Sequence, residues 1–427
     1  MTTNQTEKTV ALSKDSADSL QKFRDQFVIA EENMIYLDGN SLGRLPKKTK
    51  ALLGNVVENQ WGTELIGSWN RHWYNKPLEL GDKIAQIVGA SPGEVVVSDS
   101  TSLNLYKLAH ASLKYQKGKT EIVSDELNFP TDLYILQGLI KEFGSDYQLK
   151  MARSSDGISI GTEEIKSKIT KNTALVVLSL VAFKSAFIYN ATEITEHAHK
   201  MGALVLWDLS HAAGAVQIEL NKTNADLAVG CTYKYLNGGP GSPAFLYVRN
   251  DLQDHMSCPV QGWFGDASPF EFDLQYRPAK GIRKFLTGTP PVLNLMAIEP
   301  GIDMILEAGM SNVHQKSIGL SEYFISLARK QLMPLGFSIG SPSSPQKRGS
   351  HVSLKHPEAY RICQALINPK NSTIRVIPDF REPDNIRFGF TPLYTTYTEV
   401  FLTVNRLGKI VKKREYENYG QDKSDVT

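Results

Sequence analysis

The sequence is poor in cysteine: 427 residues hold three, Cys231, Cys258 and Cys363, widely separated and in no C-x-x-C pair. This argues against a disulfide framework or a structural zinc site and fits a reducing cytoplasm. Charge of one sign is also lacking. Forty-seven basic residues face 45 acidic ones, for a net charge of +2, so no global field favours nucleic acid or an anionic membrane, and small-molecule chemistry is the expectation. No uncharged apolar run is long enough to cross a bilayer, and the opening "MTTNQTEKTVALSKDS" is polar where a signal peptide carries its apolar segment. A soluble protein with no membrane and no nucleic-acid partner is expected. There is no internal repeat and no phosphate-loop pattern G-x-x-x-x-G-K-[ST]. His197 and His199, two apart on a helical stretch, point away from each other, so no metal site is expected.

What the chain does have is a series of short apolar runs. "EVVVS" (94–98), "EIVS" (121–124), "ALVVLS" (174–179), "ALVLWD" (203–208) and "DLAVG" (226–230) alternate with helical stretches such as "LNLYKLAHASL" and "TEITEHAHKMG". Strands without polar alternation, spaced by helices, predict a mostly parallel sheet covered on both faces: an α/β fold. Residues 1–60 form an N-terminal arm and part of a small domain, residues 61–335 a large domain, and residues 336–412 a smaller α+β domain. The boundary falls in the Gly/Pro/Ser-rich "GFSIGSPSSPQKRGS", and residues 413–427 are expected as a solvated tail.

Ligands of such sheets gather beyond the carboxyl ends of the strands. There stands "GCTYKYLNGGPG", with Lys234 between two tyrosines and before a run of small residues. A lysine at a strand end usually packs its stem and sends its ammonium to water. It can also bind an aldehyde cofactor as a Schiff base, and pyridoxal phosphate is the commonest such cofactor. That hypothesis needs three accessories. The first is an acid for the pyridine nitrogen, and Asp208 ends the run "ALVLWD", with His211 three residues on; alone, such an Asp is as often a helix N-cap. The second is an anion site, offered by Ser100, Thr101 and Ser102 between a strand and a helix, where the plain alternative is a capping cluster. The third is a stacking face, Phe129 in "ELNFPTDLY", which alone reads as core. Ser179 closes another strand in the same region, and Tyr233 sets a phenol beside the lysine.

At these residues the chain resembles the pyridoxal-phosphate enzymes of fold type I, in the class V aminotransferase group, and within it the kynureninase family. The resemblance runs from "YLDGNSLGRLPK" through "SDSTSLNLYK", "NFPTD", "DLSHAAGAV", "YKYLNGGPG", "GWFGD" and "FLTGTPP" to "IRFGFTPLYTTYTEV". It implies a seven-stranded, mostly parallel sheet in the large domain and hydrolytic cleavage of the Cβ–Cγ bond of L-kynurenine, or of 3-hydroxykynurenine, to anthranilate or its hydroxylated form and L-alanine. By the same resemblance Lys234 anchors the cofactor and moves the α-proton, Asp208 holds the ring nitrogen, Phe129 stacks, and Thr101, Ser102, Asp132, Ser179, His211 and Tyr233 are cofactor contacts. Tyr233 also stands as a proton donor. Trp263 and Thr289 match cofactor-binding positions at the phosphate end, which in the family's homodimers come from the neighbouring subunit, and Thr289 hints at the unhydroxylated substrate. Arg387 matches the arginine that grips the substrate carboxylate, and Ser41 and Trp69 match positions near the substrate. One segment departs from the pattern: the family's Tyr, Thr and Gly after the "VVLS" strand are Phe183, Ser185 and Ala186 here, with Leu180 ahead of them. The rival readings are a desulfurase-like lyase, which needs a mobile reactive cysteine, and a non-catalytic pyridoxal-phosphate protein.

Overall fold

The computed structural model describes residues 3–370 and 372–422. Its main sheet has seven strands, in the spatial order Val95–Val97, Phe245–Val248, Leu227–Gly230, Leu204–Asp208, Thr173–Ser179, Glu121–Asp125 and Gln148–Ala152. All run parallel except Phe245–Val248, which is antiparallel to both neighbours. Five of the seven coincide with the apolar runs. The two others gave weaker signals: Gln148–Ala152 is a half-exposed edge strand, and Phe245–Val248 follows a short connection, without the helix a parallel crossover requires.

Side chains of the central strands alternate between two cores. Val176, Leu178, Val205, Trp207 and Ala228 face one; Leu175, Val177, Leu204, Leu206, Leu227 and Val229 face the other. Every residue of Thr173–Ser179 is buried, because helices cover both sheet faces and no position along the strand meets water. The strands therefore end inside the molecule, and polar groups at their carboxyl ends are withheld from bulk solvent.

A third core serves the smaller domain. Its four-stranded antiparallel sheet runs Asp379–Arg381, Asn385–Gly389, His351–Lys355, Ser338–Ile339. The long helix Met310–Gln331 contributes Leu320, Phe324 and Leu327 to this core, so the smaller unit gathers residues ahead of the expected boundary at 336. The arm joins it as well: Met34–Tyr36 pairs in parallel with Arg375–Ile377, and Ala11, Ile35 and Leu37 are buried there. Residues 413–422 are not a free tail. Glu415 is buried and pairs with Arg406 at 2.7 Å, and the Tyr360 hydroxyl donates to the Asp422 carbonyl at 2.8 Å. The rest of the expected tail, 423–427, lies outside the described residues. Among the described residues no helix is long and apolar enough to cross a membrane.

Candidate active site

Two strand ends of the main sheet supply the first groups. Asp208 closes its strand, opposite Val229 of the next one, and is 4% exposed. Its Oδ1 accepts from the Ser210 backbone N–H at 2.9 Å and from the Ser210 hydroxyl at 2.6 Å, a local turn that fixes the carboxylate. Its Oδ2 lies 3.4 Å from the hydroxyl of Ser179, which sits 2.6 Å from Asn128 Oδ1. Asn128 was not singled out from the sequence; it joins two strand ends through its amide, which also donates to the Val177 carbonyl.

The turn after Asp208 carries His211 beneath Lys234, with Nε2 and Nζ 3.4 Å apart. Burial, then the charges of Lys234 and Arg387, push the His211 imidazole well below its ordinary pKa, so the ring is a neutral acceptor. Asp132, in the first turn of the helix Pro130–Phe143, is 3% exposed with an Oδ2 that has no hydrogen-bond partner. Burial and the nearby Asp208 raise its pKa well above the carboxylate range, and Lys234 opposes the shift. Phe129 is the N-cap residue of the same helix and, unlike a core aromatic, is 40% exposed, with Lys234 Nζ 5.9 Å from its ring centroid. Tyr233 lies beside the lysine, and the Cys231 thiol, then burial, hold its phenol protonated beyond the usual range.

The lysine loop is pinned from outside. The Gly43 N–H of the arm donates to the Tyr233 carbonyl at 2.8 Å, and a Cβ at Gly43 would stand 2.4 Å from the Lys234 carbonyl oxygen. Only glycine permits this approach. Ser100 caps the helix Thr101–Tyr115 by accepting from the Leu103 N–H at 3.3 Å, which places Thr101 and Ser102 in its first turn. Behind them the fully buried Lys107 donates to Asp99 and to the Phe285 carbonyl, both at 2.7 Å.

The smaller domain contributes Arg387, 1% exposed. It lies opposite Asp379 across the strand pair, and Asp379 takes Nε and Nη2 in a forked ion pair. Ser41 Oγ accepts from Nη2 at 3.0 Å, the Phe183 carbonyl accepts from Nη1, and His211 Nε2 is 3.4 Å from the same Nη1. With its amide in the orientation that satisfies both its oxygen and its nitrogen, Asn40 accepts from Nε at 2.7 Å through its oxygen. Burial works against the charge of Arg387, but Asp379 outweighs it and keeps its pKa raised. Asp379, Asn40 and the buried His351, whose ring is 5.7 Å from that of His211, are neighbours the sequence did not announce.

The remaining expected residues lie in an aromatic group: Trp69 packs on Trp73 and Phe264, and Trp263 on Phe264 and Phe270. Thr289 is exposed. Among the described residues no hydrogen bond or ring contact joins Trp69, Trp263 or Thr289 to Lys234, Asp208 or His211. The departing segment folds over the site: Phe183 meets Phe129 edge-on at 5.3 Å, and Ala186 adopts φ +65°, the left-handed region natural to glycine.

These residues suit a small anionic aromatic aldehyde. A lysine, a buried acid, an orphaned carboxyl oxygen at Asp132 and a half-exposed phenyl face lie close together, and the helix Thr101–Tyr115 begins with an N-terminus suited to a phosphate. None of the cysteines offers the thiolate a desulfurase needs: all three are buried and free, and burial raises each thiol's pKa.

Comparison with known proteins agrees. Residues 313–407 match the model of the kynureninase C-terminal domain. A kynureninase from Pseudomonas fluorescens is 42% identical over 410 residues, 95% of each chain, and one from Burkholderia pseudomallei is 39% identical over 94% of each. In fold, the chain is similar to an apo cysteine desulfurase from Thermococcus onnurineus, with a TM-score of 0.78 at 19% identity over 92% of this chain and 98% of that one. The architecture is thus that of the fold type I enzymes, and at such identity over nearly its whole length the chain belongs to the kynureninase family.

Proposed function

We propose that the protein hydrolyses the Cβ–Cγ bond of L-kynurenine, releasing anthranilate and L-alanine, with pyridoxal phosphate as cofactor. The observation that carries this reading is the meeting of two cations at one ring nitrogen: Lys234 Nζ and Arg387 Nη1 each stand 3.4 Å from His211 Nε2. An α-amino acid carries its amino group and its carboxylate on one carbon, so its two handles need partners this close together.

When bound, pyridoxal phosphate supplies the electron sink that stabilises charge at the α-carbon. Lys234 would carry it and move the α-proton, Asp208 would hold the ring nitrogen, Phe129 would stack on the ring, and the first turn at Thr101 and Ser102 would receive the phosphate. Asp132, Ser179 and His211 complete the cradle. Arg387 grips the carboxylate, which takes the place of the neutral acceptors Ser41 and His211, because a charged acceptor binds a guanidinium more strongly. Tyr233, kept as a neutral phenol, is placed to give a proton as alanine forms.

The protein acts as a homodimer in the cytoplasm, with Trp263 and Thr289 of each subunit serving the phosphate end of the neighbouring subunit's cofactor and Trp69 near the substrate. Supporting the dimer, Trp61, Ile66, Phe270, Phe272 and Leu274 are exposed, Leu274 completely, apolar side chains of the kind an interface covers. Supporting the compartment, every cysteine is free. Steady-state kinetics on the cofactor-loaded enzyme with kynurenine and 3-hydroxykynurenine test the reading: anthranilate release with the higher kcat/KM for kynurenine is expected, and no aryl product from either compound refutes it.

A further inference from the structure

Arg387 belongs to a buried cluster of charges that the proposed reaction does not yet use. Asp379 holds both Arg387 and Arg381, the latter at 2.8 Å. Ser41 donates to the same carboxylate at 3.1 Å. Beside them stands a second acid, Asp38, bridged through its backbone to Gly389, two residues along the strand from Arg387. One of its oxygens, Oδ1, is buried without a hydrogen-bond partner.

The charges decide what this second acid does. Two arginines and one ionised Asp379 leave the cluster at +1, which complements an incoming carboxylate. Ionising Asp38 as well brings the cluster to zero, and a substrate carboxylate would then become the third anion among two cations in a space that water screens poorly. We propose that Asp38 is a positioning residue of the carboxylate site, and that substrate binds when Asp38 carries a proton. The inference rests on the reading that Arg387 receives the substrate carboxylate.

The surroundings support it. Burial, then the charge of Asp379, raise Asp38 to about 7, against the pull of the Ser41 hydroxyl, Arg387 and Arg381. The phenols and the thiol around it are held neutral. Tyr36, two residues before it, Tyr235 from the lysine loop, and Tyr394 have raised phenol pKa values, and the Cys363 thiol of the helix Ala359–Ile367 is pushed well up. Arg44 is spent on the faces of Tyr36 and Tyr394, at 5.2 and 5.6 Å. Asp38 is therefore the member of the cluster whose charge changes near neutral pH.

The test is the pH dependence of KM and kcat for kynurenine, from pH 6 to 8.5, on the cofactor-loaded wild type, Asp38→Asn, Asp38→Ser and Arg387→Lys enzymes. Because substrate binds only while a group near 7 holds its proton, the wild-type KM is predicted to be about tenfold higher at pH 8 than at pH 6. In Asp38→Asn that rise disappears, leaving KM at pH 8 about tenfold below wild type, while the shape of the kcat profile is the same in both. Asp38→Ser gives the same result should the amide not fold. Arg387→Lys raises KM at every pH, since an ammonium cannot fork onto a carboxylate. A flat wild-type KM, or a rise that survives in Asp38→Asn and Asp38→Ser, overturns the role of Asp38 alone. An unchanged KM in Arg387→Lys overturns the carboxylate reading and the inference with it.

Discussion

Gly301 is a packing residue with a catalytic consequence. It lies in the helix Val292–Ala308, which presses its backbone onto the loop just past Lys234. A Cβ at this position would stand 2.1 Å from the Leu236 carbonyl oxygen and 3.3 Å from the Asn237 carbonyl carbon. An ordinary C···O contact is roughly 3.3 Å, so helix and loop must part by about 1 Å. The loop cannot retreat, because Gly43 backs it from the other side and Asn237 is already in a left-handed turn at φ +56°. Overpacking against backbone costs roughly 3 kcal/mol, and the better helix propensity of alanine returns about 1, leaving Gly301→Ala about 2 kcal/mol less stable. A displacement of that size beside the reacting lysine lowers kcat/KM by about a hundredfold. Gly138, in the helix Pro130–Phe143, is the internal control: an added Cβ there meets nothing within 4 Å, so Gly138→Ala gains about 1 kcal/mol from propensity alone and keeps full activity. Guanidinium unfolding and steady-state turnover read both numbers. A Gly301→Ala enzyme with wild-type midpoint and turnover would refute the close-packing argument.

Two further outcomes follow from single residues. Ala186→Gly relieves a left-handed alanine and raises stability by about 0.5–1 kcal/mol, the strain outweighing the entropy that glycine adds to the unfolded chain; a loss of stability in guanidinium unfolding would contradict it. His351 is wholly buried, neither ring nitrogen has a hydrogen-bond partner, and burial, then Arg387 and Lys234, hold its pKa well below normal. Its folded value lies under the unfolded one of about 6.5, so its stabilising share is complete above pH 6.5 and is lost as the pH falls. Unfolding measured at pH 7.5, 6 and 5 should therefore show His351→Gln gaining on the wild type by about 1.4 kcal/mol for each unit below 6.5; a constant difference would show that the ring does not titrate on unfolding.

The legible and the hidden parts of the molecule divide along physical lines. Strands buried on both faces announce themselves as unbroken apolar runs, so the central sheet and the strand-end placement of Asp208 and Ser179 were readable. Gln148–Ala152, half exposed at the edge, carries no such run, and Phe245–Val248 lacks the preceding helix that marks a parallel crossover. The helix Met310–Gln331 shows its amphipathic pattern plainly, but which core it enters depends on contacts with strands far along the chain, hence the packing of Leu320, Phe324 and Leu327 into the third core. Lys234 was visible through its neighbours. Asp379 and Asp38 were not, because an arginine's counter-charges are set by strand register, Asp379 opposite Arg387 and Asp38 beside Gly389, and register leaves no local trace. His351 looked like any strand residue, since nothing in "HVSLKH" says that its ring faces two cations.

The account stands on Lys234 as the cofactor's covalent anchor. Reducing the cofactor-loaded enzyme with borohydride, digesting it and locating the pyridoxyl group by peptide mass spectrometry tests this directly. The label is predicted on Lys234 alone; a label on another lysine, or none on a fully loaded enzyme, would contradict the account.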